Sequence, residues 1–234
     1  MTEIEQKYRD FWKDQTSPLH RHDDEKAFRA YASELKNLFH FYGTPSGRVL
    51  EIGCGNGALY PHLDFDESSY TGFDLSDSLI KIFRERHPTA DVSVSDCLSF
   101  DPSGQYSLVF GNAVHQHFSE TVLKAHLEKF LPYVQGNGIY AICNLPFTGL
   151  RQRYLRKEFT SASSDRSENA LDRVVNRCKA HARASFRRWF GDDSIGYWYS
   201  PEKIRSMIGK DYALEIHGSN FYPYRIHVMI HRRS

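Results

Sequence analysis

Three glycines, Gly53, Gly55 and Gly57, directly follow a short apolar segment, residues 48–52. Glycine adopts positive φ at little cost and lets a ligand approach the backbone closely. Glycine-rich loops at the carboxyl ends of strands hold nucleotides in open α/β sheets. Gly53, Gly55 and Ala58 also fit the fingerprint of dinucleotide-binding loops, although that match alone is weakly specific. The segment therefore predicts a site for a nucleoside-containing ligand.

An acidic residue, Glu51, lies two positions before the first of these glycines. A carboxylate at that place would repel a pyrophosphate resting on the loop. It suits a ligand that lacks phosphate and carries positive charge. S-adenosylmethionine is such a ligand, because it has an ammonium and a sulfonium group. We therefore expect S-adenosyl-L-methionine as the cofactor, with a tightly packed turn that binds nothing as the structural alternative.

Two further acidic residues end predicted strands. Asp74 follows Gly53 by about 20 residues, the spacing of a carboxylate that accepts hydrogen bonds from ribose hydroxyls. It could instead cap the helix predicted to begin at Ser76. Asp96 ends the next strand and can accept from the exocyclic amine of adenine, or simply belong to a turn. Both positions agree with a nucleoside bound at one edge of a sheet.

Short apolar strands alternate with amphipathic helices between Arg48 and Pro146, which predicts a parallel sheet covered on both faces. After that region, residues 212–217 and 225–231 are predicted to form two more strands, and the loop between them is too short for a helical crossover. This last pair must therefore be antiparallel. The predicted strands before the hairpin are residues 48–52, 70–73, 92–94, 106–110 and 138–144, and the predicted helices are residues 23–41, 58–63, 76–86, 121–131 and 201–208.

The motifs EIGCGNG, GFDLS, SDCLSF and YSLVFGNAVHQHF together resemble the class I S-adenosylmethionine-dependent methyltransferases of the small-molecule type. The resemblance implies an α/β fold with a Rossmann-like, doubly wound, seven-stranded sheet, mostly parallel with an antiparallel C-terminal strand. Many members carry Asp in the fourth strand where this chain has Ser107, a position that is usually structural. The cofactor-binding residues expected on these grounds are Glu51, Gly53, Cys54, Gly55, Asn56, Gly57, Asp74, Leu75, Ser76, Asp96, Cys97, Leu98, Asn112 and Ala113.

Methyl transfer to a hydroxyl or an amine benefits from a general base, and two histidines follow the fourth strand. His115 and His117 are therefore the predicted catalytic residues. His117 matches a histidine that is common in the family and often structural, so packing beneath the cofactor is an equal alternative for it. No third ligand accompanies the two, so no metal is expected.

The chain is expected to form a single methyltransferase domain over residues 1–234, with an N-terminal helical cap at 1–42 and a helical insertion at 147–200 that acts as a substrate lid. The insertion contains eleven Lys and Arg against six Asp and Glu, which favours an anionic acceptor such as a nucleotide-linked sugar or a carrier protein. A solvated helix face is the other explanation. The predicted substrate-binding residues are Tyr8, Trp12, Arg151, Tyr197, Tyr199 and Tyr224.

Bulk composition narrows the remaining classes of function. The formal net charge of +1 gives no general attraction for nucleic acid or membrane, and no apolar run is long enough to span a bilayer. Four scattered cysteines and a polar N-terminus fit a reducing, cytoplasmic setting. The expected function is methylation of a small molecule, such as a natural product or a glycan precursor. A nicotinamide-dependent oxidoreductase and a non-catalytic cofactor-binding module that regulates a partner are the alternatives.

Overall fold

The computed structural model describes residues 3–14, 25–43, 47–156, 158–159 and 195–233. Two helices, α1 (Glu3–Lys13) and α2 (Glu25–Phe41), precede the first strand. The middle of the helical insertion predicted at 147–200, residues 160–194, lies outside the described residues. At the described ends of the insertion, α5 (Arg151–Leu155) follows the fifth strand and α6 (Pro201–Arg205) precedes the closing hairpin.

Seven strands form one sheet in the order β3-β2-β1-β4-β5-β7-β6. Strands β1 to β5 run parallel, and β7 lies antiparallel between β5 and β6. The predicted fold class, including the antiparallel strand at the C-terminus, is confirmed. The strands are β1 (Val49–Ile52), β2 (Tyr70–Asp74), β3 (Asp91–Val94), β4 (Tyr106–Asn112), β5 (Val134–Pro146), β6 (Tyr212–Gly218) and β7 (Arg225–Arg232).

The central strands are apolar along nearly their whole length because both faces of the sheet are covered. All four residues of β1 are buried, and six of the seven residues of β4 are. Alternate side chains enter two separate cores. In β1, Leu50 and Ile52 lie in one core and Val49 lies in the other. In β4, Val109 lies in the first of these cores and Leu108 in the second.

Helices cover both faces of the sheet. α4 (Glu120–Phe130) and α6 pack on the face that contains Ile52, where Leu127 and Ile204 are fully buried. α2 and α3 (Asp77–Arg86) pack on the opposite face through Leu35 and Phe83. The sheet is thus a middle layer between two helical layers, and its carboxyl edge is left available for a site.

Serine side chains fix the starts of three helices. Ser76, Ser119 and Ser200 accept backbone hydrogen bonds in the first turns of α3, α4 and α6. The helix predicted at residues 58–63 is wrong in extent, because only a 3-10 turn at Tyr60–His62 forms there. Pro61 lacks a backbone N–H, and Asp64 adopts a positive φ of 53°, so the chain turns away before an α-helix can develop.

The closing hairpin is slightly longer than predicted, since β6 continues to Gly218 and β7 to Arg232. Its loop is held to α2 because Glu34 accepts a 2.7 Å hydrogen bond from the backbone N–H of Asn220. Across the described ranges, no helix is both long and apolar enough to cross a membrane.

Candidate functional site

A cavity of about 300 Å³ opens at the carboxyl ends of β1, β2 and β4, and α1 covers one side of it. Its walls are mostly apolar, with polar groups at the ends of the strands. Such a mixture suits a ligand that has a flat apolar part and a few polar attachment points. Of the predicted cofactor residues, Gly53, Gly55, Asn56, Asp74, Leu75, Asp96, Cys97, Leu98, Asn112 and Ala113 line this cavity.

The glycine loop needs its glycines for different reasons. All three adopt positive φ, at 68°, 56° and 73° for Gly53, Gly55 and Gly57. A Cβ at Gly53 would come within 2.8 Å of Val114, and one at Gly57 within 2.9 Å of the Phe83 ring, so these two permit close packing. A Cβ at Gly55 would meet nothing within 4 Å, so its backbone borders open space on the cavity side.

Four backbone N–H groups of the loop are already paired within the protein. Gly53 and Cys54 donate to the Phe73 carbonyl at 2.8 and 3.1 Å, and Gly57 donates to the Cys54 carbonyl at 3.2 Å. The N–H of Gly55 donates to Asp74 Oδ2 at 2.9 Å. A phosphate-binding loop presents such groups to its ligand instead. This loop therefore contributes close backbone approach rather than an anion cradle.

Asp74 connects the glycine loop to the start of α3. Its Oδ1 accepts from the backbone N–H of Ser76 at 2.9 Å, while its Oδ2 holds Gly55. Burial raises the pKa of this carboxyl above its ordinary value, although these donors lower it. Each carboxylate oxygen has a second lone pair, so Asp74 can still accept hydrogen bonds from a ligand in the cavity. Both roles weighed for Asp74 from the sequence are compatible with this geometry.

Asp96 forms the far wall of the cavity, beyond β3. Its Oδ1 accepts from the Leu98 backbone N–H at 2.8 Å, and its Oδ2 forms an ion pair with Arg9 of α1. Cys97 beside it is not a nucleophile at neutral pH, because burial raises the pKa of its thiol to about 12. Phe118 and Val122 complete this end of the cavity as an apolar surface.

The turn after β4 forms the opposite wall. Asn112 Oδ1 accepts a 2.5 Å hydrogen bond from the Tyr31 hydroxyl, which orients the amide at the cavity edge. Ala113 adopts a positive φ of 58°, unusual for a residue with a Cβ, and is held there because its N–H donates to the Cys143 carbonyl at 2.9 Å. Gln116 Nε2 donates to the Ala113 carbonyl at 2.8 Å. The backbone at this wall is thereby fixed on both sides.

Glu51 does not line the cavity, contrary to the direct contact expected from the sequence. Its side chain lies on the opposite face of the sheet, where it accepts a 2.6 Å hydrogen bond from the Tyr70 hydroxyl. Burial raises the pKa of Glu51 to about 7, and the nearby Asp74 adds to the rise. Cys54, Gly57 and Ser76 are likewise absent from the cavity lining and support the loop from behind.

His115 is buried in the core behind the cavity, so its predicted role as a base that touches the acceptor needs correction. Its Nε2 shares a 2.7 Å hydrogen bond with the Tyr140 hydroxyl, which also bonds to His126 Nε2 at 2.7 Å. Burial lowers the pKa of His115 to about 3 and that of His126 well below its ordinary value. Both imidazoles are neutral and serve the interior packing.

His117 does line the cavity, together with Trp12 of the N-terminal helix. The two rings are packed with their centroids 5.0 Å apart, and His117 Nε2 lies 3.2 Å from Gln116 Nε2. α1 thus reaches over the opening through Trp12 and Arg9. The side chain of Tyr8, the other residue predicted from this helix, lies outside the described part of the chain.

The residues predicted from the insertion have different surroundings. Tyr199 is buried, donates from its hydroxyl to the Phe118 carbonyl at 2.5 Å, and anchors the chain to the core. The backbone N–H of Tyr197 donates to the Gln116 carbonyl at 2.7 Å, which places this segment directly behind the cavity wall. Arg151 begins α5 and is partly exposed. None of these three lines the cavity.

Tyr224 belongs to a cluster of aromatic rings, which includes Tyr154, Trp198 and Tyr222 at centroid distances of 4.7 to 6.3 Å from it. Arg225 follows it and is buried. This cluster lies away from the cavity lining, but Arg225 links it to the cavity because it lies over the Tyr224 ring and donates to Gln116. The polar residues near the site that were not among the predictions include Arg9, Tyr31, Gln116 and Arg225. Gln116 could have been inferred from its place between the two histidines, but the others are remote in sequence.

Comparison with known proteins agrees with this geometry. Residues 49–138 match a family model described as a methyltransferase domain. A dTDP-3-amino-3,6-dideoxy-alpha-D-glucopyranose N,N-dimethyltransferase of Streptomyces fradiae is 24% identical over 119 residues, which cover 50% of this chain and 47% of that protein. A phthiotriol/phenolphthiotriol dimycocerosates methyltransferase of Mycobacterium tuberculosis is 29% identical over 178 residues, 66% of each chain. The match thus spans about half to two thirds of the length of these relatives.

Solved structures share the fold at low sequence identity. Magnesium protoporphyrin IX methyltransferase from Synechocystis PCC 6803, solved with bound S-adenosylmethionine, superposes with a TM-score of 0.59 at 12% identity. The superposition covers 99% of this chain and 98% of that chain.

Proposed function

We propose that this chain, which belongs to the class I S-adenosylmethionine-dependent methyltransferases, transfers the methyl group of that cofactor to a hydroxyl or amine of a small molecule. The observation that carries the proposal is the convergence of the glycine loop, Asp74, Asp96 and Asn112 on one mostly apolar cavity at the carboxyl edge of the sheet. Four segments far apart in sequence meet there, as a site for an adenosine-containing ligand requires.

The residues present fit such a donor. We assign the ribose hydroxyls to Asp74, the adenine amine to Asp96, and the apolar face of the base to Phe118 and its neighbours. The methionine part would lie along Gly55 and Asn112, where the backbone is accessible. The cofactor, when bound, supplies an already activated methyl group, so the protein has mainly to align the acceptor and exclude water.

The pairing within the glycine loop argues against a nicotinamide dinucleotide. The N–H groups of Gly53, Cys54, Gly55 and Gly57 all have partners in the protein, so they are not available to a pyrophosphate. S-adenosylmethionine carries no phosphate and does not need free N–H groups of this kind.

A base, where the acceptor needs one, would come from His117, the predicted histidine that reaches the cavity. Its ring is fixed by Trp12 and lies beside Gln116, which gives it a defined orientation at the end of the cavity. His115 is excluded from this role by its burial. We propose acceptors among natural products and glycan precursors, including anionic or carrier-linked ones. The relatives from Streptomyces fradiae and Mycobacterium tuberculosis, an N,N-dimethyltransferase of a dTDP-linked amino sugar and a phthiotriol/phenolphthiotriol dimycocerosates methyltransferase, support that choice.

Calorimetric titration of the purified protein with S-adenosylhomocysteine, and separately with NADH, tests the proposal. We expect S-adenosylhomocysteine to bind with a Kd in the micromolar range and NADH to show no heat of binding. Binding of NADH alone would refute the cofactor assignment. If neither ligand binds and the protein transfers no methyl group to a panel of hydroxyl and amine acceptors, the proposed methyltransferase activity is refuted.

A further inference from the structure

Arg225 is a buried cation close to the donor cavity. Arg225 is the first residue of β7, and it is only 6% exposed. One guanidinium nitrogen, Nη1, donates to Gln116 Oε1 at 2.7 Å and to the Asn144 carbonyl at 2.6 Å. Nε has no hydrogen-bond partner within the described residues. Both of the acceptors are neutral, and no ion pair joins Arg225 to an Asp or Glu in the described part of the chain.

A buried guanidinium with only neutral partners is costly, because transfer of its charge out of water is not compensated. The rings of Tyr222 and Tyr224 lie near it, with their centroids 5.6 and 5.4 Å from the Arg225 Cζ. Cation–π contacts of this kind offset only part of the cost. The arrangement is therefore poised for an anion, since oxyanions match the planar fork of arginine.

Two routes connect Arg225 to the donor cavity. Gln116 accepts from Arg225 and itself lines the cavity. On the other side, Tyr222 packs against Tyr31 at a centroid distance of 6.3 Å, and the Tyr31 hydroxyl donates to Asn112 at the cavity edge. Arg225 thus lies one side chain away from the wall that we assign to the methionine part of the cofactor, which is the end where an acceptor must approach.

Asn144 supplies a second, independent sign of a binding site. It adopts a positive φ of 63°, at the place where the pairing of β5 with β7 shifts register between Ile142 and Leu145. Its side chain is buried, yet Oδ1 has no hydrogen-bond partner among the described residues. Oδ1 is a hydrogen-bond acceptor, so it fits a hydroxyl or amine N–H of a bound ligand rather than the ligand's oxyanion.

Resting on the function proposed above, we infer that Arg225, held in place by Gln116 Oε1 and the Asn144 carbonyl, forms a subsite for an oxyanion of the methyl acceptor, either a carboxylate or a phosphate. The aromatic cluster of Tyr154, Trp198, Tyr222 and Tyr224 provides the surface for the body of that acceptor. An acceptor with an acidic group and a flat or apolar body satisfies the buried charge and covers the rings. A neutral acceptor would leave the charge of Arg225 uncompensated.

Three small probes test the subsite by calorimetry, each with and without saturating S-adenosylhomocysteine. Benzoate and phenyl phosphate carry the two oxyanions, and benzamide is the neutral analogue of benzoate. We expect at least one anion to bind tenfold or more tightly than benzamide, and the stronger of the two identifies carboxylate or phosphate. Equal binding of all three probes, or binding of none, would overturn the inference.

Variants assign the preference to one residue. Arg225→Gln should bring the anion and benzamide affinities within twofold of each other, whereas Arg232→Gln, an exposed arginine at the other end of the same strand, should leave the tenfold preference intact. Arg225→Lys retains the charge without the planar fork and should reduce the preference at least threefold. It replaces the Gln variant if that one does not fold. An unchanged preference in the folded Arg225 variants would refute the subsite.

The two proposals fail in different ways. The titrations without S-adenosylhomocysteine measure the anion subsite even if the cofactor assignment is wrong. Conversely, wild-type protein that binds S-adenosylhomocysteine but shows no anion preference keeps the methyltransferase proposal and loses this one. The Arg225 variants should bind S-adenosylhomocysteine within threefold of the wild type, since Arg225 does not line the donor cavity.

Discussion

Glu51 gives the sharpest test of the site, because its carboxyl is buried beneath the glycine loop with the Tyr70 hydroxyl as hydrogen-bond donor. Burial raises its pKa from 4.5 to about 7. A carboxyl with a raised pKa in the folded state binds its proton more tightly when folded than when unfolded. The free energy of unfolding therefore falls as the pH rises from 4.5, where the unfolded carboxyl begins to ionise, to about 7, and the penalty stays constant above that pH.

The size of the effect follows from the two pKa values. A shift of about 2.5 units corresponds to about 3 kcal/mol in full, of which about 2 kcal/mol is expressed between pH 5.5 and pH 8.5. Glu51→Gln keeps an oxygen for the Tyr70 hydroxyl and cannot ionise. We compare the unfolding free energy of this variant with that of the wild type at each pH. The difference should be about 2 kcal/mol more in favour of the variant at pH 8.5 than at pH 5.5.

Urea unfolding of the ligand-free protein at the two pH values measures this difference. Glu85→Gln is the matched control, because Glu85 is exposed on α3 and should show the same stability relative to wild type at both pH values. If the difference between the Glu51 variant and wild type changes by less than about 0.5 kcal/mol with pH, the carboxyl is not held in the buried state described here.

Three further predictions concern the cavity. Asp74→Ala should weaken S-adenosylhomocysteine binding roughly 10- to 100-fold in calorimetry, because charged hydrogen bonds are lost. The control Asp77→Ala, on the exposed first turn of α3, should change the affinity less than threefold, and equal effects of the two variants would refute the ribose assignment. Once an acceptor is identified, His117→Ala should lower kcat more than it lowers cofactor affinity. His115→Ala should instead lower the free energy of unfolding by about 2–4 kcal/mol, because a buried hydrogen-bonded ring is lost. The reverse pattern would contradict the placement of both histidines. Arg9→Gln should tighten S-adenosylhomocysteine binding by up to about fivefold, because the Arg9–Asp96 ion pair, partly exposed and worth up to about 1 kcal/mol, no longer competes with the ligand for the Asp96 carboxylate. Unchanged affinity would show that Arg9 and the ligand do not share this carboxylate.

Most of the sheet could be predicted because its strands are short apolar runs that end in glycine or acidic residues. The antiparallel hairpin followed from loop length alone, since a few residues cannot form a crossover. Boundaries differed mostly by one or two residues, as for Ser76, which caps α3 rather than beginning it. The larger error at residues 58–63 arose where Pro61 and the positive φ of Asp64 end the turn, two local effects that outweigh apolar periodicity.

Site residues contributed by local motifs were easier to place than residues contributed by packing. Gly55, Asp74 and Asp96 line the cavity because each follows the end of a strand, and strand ends meet at one edge of the sheet. Arg225 and Tyr31 come near the site from β7 and α2, whose positions depend on contacts remote in sequence. Neither residue type nor spacing indicates such an approach.

The placements of Glu51 and His115 show why residue type alone does not make a side chain part of a site. Successive side chains of a strand point to opposite faces, so Ile52 borders the cavity while Glu51 points to the other core and Tyr70. In the turn after β4, His115 points into the interior while His117, two residues on, reaches the cavity. The site is thus selected by which face of each element meets the carboxyl edge.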